Sequence, residues 1–370
     1  MGLPDSGRQP FIRRQIEAKK LRKRDYDEDD VRVRPGKGSR PRTRIRPAHE
    51  NAVRGFVVTV DRGRYTCLVE VDGEKSRHHK KSKVRDAAMS GRIVVAMKAR
   101  ELGRKGIVVG DRVALVGDVS GASDTLARIV RVEPRTSMLR RSADDTDNTD
   151  GIERPVVANA DQLVIVTALA DPPPRPRMID RMLVAAFDAD IDPLLCLTKS
   201  DLAPSDELVS LYDPLGVPYV VLQKGGALDG IRERLSGRIS VLVGHSGVGK
   251  STLVNALVPH ANRAVSHVNA VTGRGRHTST SAVALELPEG GWIIDTPGVR
   301  SFGLAHVSVE TVLAGFPDLV EGTVTCPKAC NHLGEECALD AWVAAGHADP
   351  TRLVSLRRLL ASREGAPDDD

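Results

Sequence analysis

Gly244-His245-Ser246-Gly247-Val248-Gly249-Lys250-Ser251-Thr252 is the stretch that decides the fold. It fits G-x-x-x-x-G-K-[ST], and it lies between an apolar run at 239–243 that reads as a strand and a helical run at 250–257. Glycines at these spacings let successive backbone N–H groups turn toward one anionic centre. The helix N-terminus adds partial positive charge at the same place. Lys250 is expected to reach the β- and γ-phosphates of a nucleotide, and Ser251 to ligate Mg²⁺. The chain around this loop alternates strands (161–170, 193–198, 218–222, 239–243, 292–294) with helices (178–188, 205–212, 231–235, 250–257). That alternation predicts an α/β domain with a parallel sheet. Residues 281–287 read as an extra strand, expected to be an antiparallel edge.

Two further segments lie at predicted strand ends. Asp295-Thr296-Pro297-Gly298 follows the run at 291–294. Asp295 there could hold Mg²⁺ through water, and Gly298 could offer its N–H to a γ-phosphate. Thr198-Lys199-Ser200-Asp201 ends the strand at 193–198. The Asp201 carboxylate could accept from N1–H and N2–H₂ of guanine, a donor pair that adenine lacks, with Lys199 against the base plane. Thr198 stands where GTPases commonly carry Asn, which removes one side-chain amide bridge. Guanine selector, phosphate loop and switch thus occur in a permuted order. They can still meet, because open α/β sheets bind ligands at the carboxyl ends of their strands.

Upstream, residues 51–134 hold five short β-rich runs separated by Gly-containing turns, which suit a small all-β barrel of OB-fold type, with an SH3-like barrel as the alternative. Residues 1–134 carry 32 basic and 18 acidic side chains, a net of +14 in a chain whose total is +5. Such a bias calls for a polyanionic partner. Arg77-His78-His79-Lys80-Lys81-Ser82-Lys83-Val84-Arg85 has no interleaved aromatic, so contact with RNA phosphates fits better than base stacking. Residues 1–50 read as a disordered basic extension.

Near the other end, Cys326, Cys330, His332 and Cys337 crowd into a dozen residues. Three thiolates and one imidazole form a complete tetrahedral set for a structural zinc, and this grouping favours metal over disulfides in a reducing compartment. No apolar run approaches bilayer length, and the basic N-terminus lacks a signal-type apolar core, so the cytoplasm and no membrane contact are expected.

Together these features resemble the small-subunit-dependent ribosomal GTPases of the RsgA or YjeQ family. The resemblance rests on the permuted order, Gly275-Arg276-His277-Thr278-Ser279-Thr280, Asp295-Thr296-Pro297-Gly298-Val299-Arg300 and the Cys/His cluster, and it covers about residues 52–365. It implies an OB-fold, then a circularly permuted P-loop GTPase domain, then a helical zinc-binding domain. The boundaries expected are 1–50 for the extension, 51–134, 135–315 and 316–370. It implies GTP and GDP with Mg²⁺ as ligands, one structural Zn²⁺, and the small ribosomal subunit and its rRNA as partners. The free protein is expected to be a monomer. Thr278 or Thr280 would be the switch residue at Mg²⁺ and the γ-phosphate. Val299 follows Asp-x-x-Gly where many GTPases carry a water-orienting Gln, so His277 is the candidate for that task, with docking of its loop on RNA as the alternative. No purine contact is assigned within 221–226. The alternative function is a GTP-regulated RNA-binding switch or RNA chaperone with little hydrolysis of its own.

Overall fold

The computed structural model describes residues 49, 51–70, 91–103, 106–122, 125–141, 154–258, 282–296, 302, 304, 307–334 and 336–363. Alternation in the first described runs produces five strands: β1 (Val53–Asp61), β2 (Arg64–Glu70), β3 (Gly91–Lys98), β4 (Arg112–Gly117) and β5 (Ala127–Val132). They pair in the order β1-β2-β3-β5-β4, and β4 returns to β1 to close the barrel. The β3–β5 pair is parallel and the others are antiparallel, the pattern of an OB-fold. Val57, Cys67, Val94, Leu115 and Ile129 fill the barrel interior. Phe56, Val58 and Leu68 point the other way, into the core of the following layer. The β-period of two thus gives this barrel two buried faces along β1 and β2.

A hairpin of β6 (Met138–Arg141) and β7 (Arg154–Ala158), unforeseen in the sequence reading, leads into the α/β layer. There β8 (Gln162–Ala168), β9 (Asp192–Thr198), β10 (Tyr219–Val221), β11 (Ile239–Val243) and β13 (Trp292–Asp295) run parallel in the order β10-β9-β8-β11-β13. β12 (Val283–Glu286) joins β13 antiparallel, as expected. It is no edge, however: Val283 pairs with Thr59 of β1, so the barrel strands continue the sheet. Phe56 lies 5.0 Å from Trp292, ring centre to ring centre, and reinforces that seam.

Alternate residues of the central strands serve opposite faces. Leu163, Ile165 and Val241 face α1 (Pro176–Asp188) and α2 (Asp206–Tyr212). Val164, Val166 and Leu242 face α3 (Asp229–Leu235) and α4 (Lys250–Leu257). The C-terminal helices α5 (Val309–Leu313), α6 (Pro317–Val320), α7 (Ala338–Ala344) and α8 (Pro350–Arg363) share the first of these cores. Leu353, Leu356 and Leu360 of α8 belong to the same apolar cluster as Leu183 of α1 and Phe56 of the barrel. No helix among the described residues is long and apolar enough to cross a membrane.

Candidate nucleotide and metal sites

β11 lies between β8 and β13 in the parallel layer and delivers residues 244–252 at its carboxyl end. Backbone conformation explains the glycines. Gly244 has φ 141°, and a Cβ there would lie 2.2 Å from the Val166 carbonyl oxygen, so only glycine lets the loop pass β8. Gly249 has φ 96° immediately before α4. The turn leaves Ser246, Gly247, Ser251 and Thr252 exposed while Val248 is buried as its anchor. Lys250 Nζ donates to the Gly244 and His245 carbonyl oxygens, so the ammonium lies over its own loop.

Asp295 ends β13, beside β11. Burial pushes its carboxyl up from the usual range, and the nearby Lys250 ammonium pulls it back. Lys250 feels the converse: burial lowers its pKa and Asp295 raises it. Thr296 Oγ1 donates to Leu242 O at 3.0 Å and fixes the strand end against β11. Burial also lowers the pKa of His245, helped by Arg175, Lys250 and Lys199, and its Nε2 has no hydrogen-bond partner.

Two strands away, β9 ends at Thr198, and Lys199 adopts the left-handed region at φ 59°. The Thr198 hydroxyl donates to Val248 O at 2.6 Å, a direct link between selector segment and phosphate loop. Thr198 lacks the amide of an Asn, but its hydroxyl keeps one tether. Lys199 Nζ donates to the Asp171 carbonyl, and Asp201 is exposed. Asp171 and Pro172 lie within the loop that follows β8, and Pro172 Cδ would lie 3.5 Å from a Cβ on Gly247. That loop therefore seats both lysine and phosphate loop. Thr198, Lys199, Asp201, the 244–252 loop and Asp295 thus occupy the carboxyl ends of β9, β11 and β13 on one rim of the sheet. Gly298, His277, Thr278, Thr280, Val299, the run at 77–85 and the extension at 1–48 lie outside the described residues.

The second cluster brings Cys326, Cys330, His332 and Cys337 together, with ligand atoms all within 4.8 Å of one another. Cys326 Sγ is 3.8 Å from Cys337 Sγ, and His332 Nδ1 is 3.6 and 3.4 Å from these two sulfurs. A tetrahedron with Zn–S of about 2.3 Å and Zn–N of about 2.0 Å has edges of about 3.8 Å (S–S) and about 3.5 Å (S–N), so the donor set is compatible with zinc. Ala329 and His332 take φ near 61° and 60°, which curls the loop around the thiols. His332 N–H donates to Cys330 Sγ at 3.4 Å. Arg357 of α8 donates to His332 O at 3.1 Å and pairs with Asp340 of α7, bracing the cluster from behind.

On the barrel, Arg92, Arg112, Arg128 and Arg131 are exposed on β3, β4 and β5. Its position is held by a buried pair. Asp111 is fully buried and receives Arg135 Nε at 2.7 Å and Nη2 at 2.9 Å. Asn159, at φ 56°, donates to Gly110 O at 2.9 Å.

Comparison with known proteins places these features. The family model described as RsgA GTPase matches residues 132–305. The chain is 41% identical over 266 residues to the small ribosomal subunit biogenesis GTPase RsgA of Pseudomonas aeruginosa (strain LESB58), covering 69% of this chain and 76% of that protein. It is 40% identical over 274 residues to the RsgA of Ectopseudomonas mendocina, covering 71% and 76%. Among solved structures, YjeQ from Thermotoga maritima aligns with a TM-score of 0.59 at 25% identity, over 85% of this chain and 99% of that one. YloQ, a circularly permuted GTPase, aligns with 0.58 at 21% identity, over 86% and 97%, and shares the fold.

Proposed function

The chain belongs to the RsgA GTPase family, and from that membership we propose that it binds the small ribosomal subunit and assists its late maturation, hydrolysing GTP faster on the subunit than alone. GTP hydrolysis is the activity of the family. The observation that carries the reading for this chain is the convergence of Lys250, Asp295 and the Thr198–Asp201 segment on one rim of the sheet.

The nucleotide would lie along that rim, phosphates over residues 244–252 and base toward Lys199 and Asp201. Gly244 and Gly249, at φ 141° and 96°, would hold the loop in a turn whose backbone N–H groups face phosphate oxygens. Lys250 would exchange its loop carbonyls for β- and γ-oxygens. Ser251, Asp295 and Thr278 or Thr280 would hold Mg²⁺, which supplies neutralising charge. Cys326, Cys330, His332 and Cys337 would hold one structural zinc. We assign 51–134 to rRNA contact, 135–315 to GTP and 316–370 to the zinc-bearing helices. The protein would act as a cytoplasmic monomer until it meets the subunit.

GTP turnover measured with and without purified small subunits tests the reading. Stimulation is expected; equal rates would favour an RNA-binding switch. His277 would orient the attacking water. His277→Ala should then keep GTP affinity and subunit binding while losing most of the stimulated rate. If the rate survives, His277 has no such role; if subunit binding is lost, its loop serves docking.

A further inference from the structure

We propose that Thr198 is a positioning residue whose single hydroxyl proton fastens the phosphate loop to the selector strand and leaves N7 of the bound guanine unread by that strand. The proposal rests on the guanine site described above.

Thr198 is buried at the end of β9, directly before Lys199 and three residues before Asp201. Its Oγ1 has two close partners, Val248 O at 2.6 Å and Thr167 O at 3.3 Å. Both are carbonyl oxygens and only accept. A hydroxyl carries one proton, so it is committed inside the protein whichever partner takes it, and the shorter contact places it on Val248. Val248 precedes Gly249, whose φ of 96° starts α4, and a Cβ on Gly249 would lie 3.8 Å from the same Oγ1. The hydroxyl therefore holds the peptide turn that aims backbone N–H groups at the phosphates.

Guanine offers N1–H and N2–H₂ as donors on one edge, and O6 and N7 as acceptors on another. Asp201 suits the donors. An acceptor needs a proton, and Thr198 has none left. A carboxamide at this position would carry two N–H groups, one for Val248 O and one for N7. Threonine retains the tether and gives up the base contact. Selectivity for guanine in this chain then comes from the donor edge.

The test is equilibrium competition by GDP, 7-deaza-GDP and ADP against a fluorescent GDP, for the full-length protein and three variants. Wild type and Thr198→Ser should bind GDP and 7-deaza-GDP within about twofold of each other. Thr198→Asn should prefer GDP by about threefold to tenfold, the effect of one added neutral hydrogen bond. Thr198→Val, close in shape, should weaken both guanine nucleotides alike by about tenfold, because Val248 O loses its donor. A wild-type preference for GDP over 7-deaza-GDP beyond about fivefold would overturn the proposal, as would unchanged affinity in Thr198→Val. ADP competing as well as GDP would sink the guanine selector instead; Thr198→Val would still decide the tether.

Discussion

Arg358 of α8 donates from Nε to Oδ2 of Asp180 in α1 at 2.9 Å, joining segments 178 residues apart in sequence. The Asp180 carboxylate is fully buried, and its Oδ1 has no partner. Arg358 also lies over the Tyr212 ring, 4.9 Å from its centre. The C-terminal helix is therefore bonded to the nucleotide-binding layer through a buried charge, in addition to its leucines.

Burial pushes the Asp180 acid up to about 6, against a usual 3.8, with Arg358 pulling it back down. The folded state thus holds the proton more tightly than the unfolded state. The stability gained from that proton is complete below about pH 3.8 and is lost as pH rises through about 6. Asp180→Asn should flatten the pH dependence of urea unfolding between these values. Arg358→Ala should cost about 3 kcal/mol at pH 7.5, where an unpaired carboxylate is left inside, and less at pH 5. An equal loss at both pH values would count against the buried pair.

Arg135 and Asp111 make the corresponding lock on the barrel. Arg135→Ala should destabilise the protein by about 3 kcal/mol, because Asp111 is fully buried. Gly110→Ala should act similarly, since Gly110 has φ 91° and a Cβ there would sit 2.0 Å from the Ala158 carbonyl oxygen. Hydrogen exchange is the sharper readout. Faster exchange should spread through β6 and β7 as well as β1 and β4, and a change limited to the barrel would refute the lock.

Metal analysis of freshly reduced protein should find about one zinc per chain. Cys330→Ser should release it. The loss should also lower the melting temperature of the nucleotide-binding layer, because α8 braces His332 and shares its core with α1. Zinc-free wild-type protein would rule out the metal. Zinc loss without any shift in melting would show the cluster to be energetically separate.

Lys250→Ala should abolish turnover and weaken GTP binding, since it removes the cation assigned to the β- and γ-oxygens. Asp201→Asn should shift preference toward xanthosine triphosphate, whose C2 oxygen suits the new amide. Competition titration of the two nucleotides measures it, and an unchanged preference for GTP would remove Asp201 from the base site.

The phosphate loop, the two strand-end motifs and the Cys/His spacing were legible in the sequence, because each is a local demand. Glycines must stand where the backbone passes β8 or turns left-handed, and Cys326, Cys330, His332 and Cys337 lie close enough in sequence to meet within one loop. The OB-type barrel was legible from its short β-rich runs, and β8 from its unbroken apolar run, which suits a strand buried on both faces. What tertiary structure alone decided is which surfaces find each other. β12 reads as an edge strand, yet Val283 pairs with Thr59, and Phe56 turns outward to meet Trp292. Nothing in the sequence pairs Asp180 with Arg358 or Asp111 with Arg135; packing buries both carboxylates against these arginines. Thr198 reads as a missing amide until Val248 arrives 2.6 Å away. Such contacts join residues tens to hundreds of positions apart, and no short window of sequence encodes them. They follow from apolar faces being driven together, after which each buried polar group must find a partner.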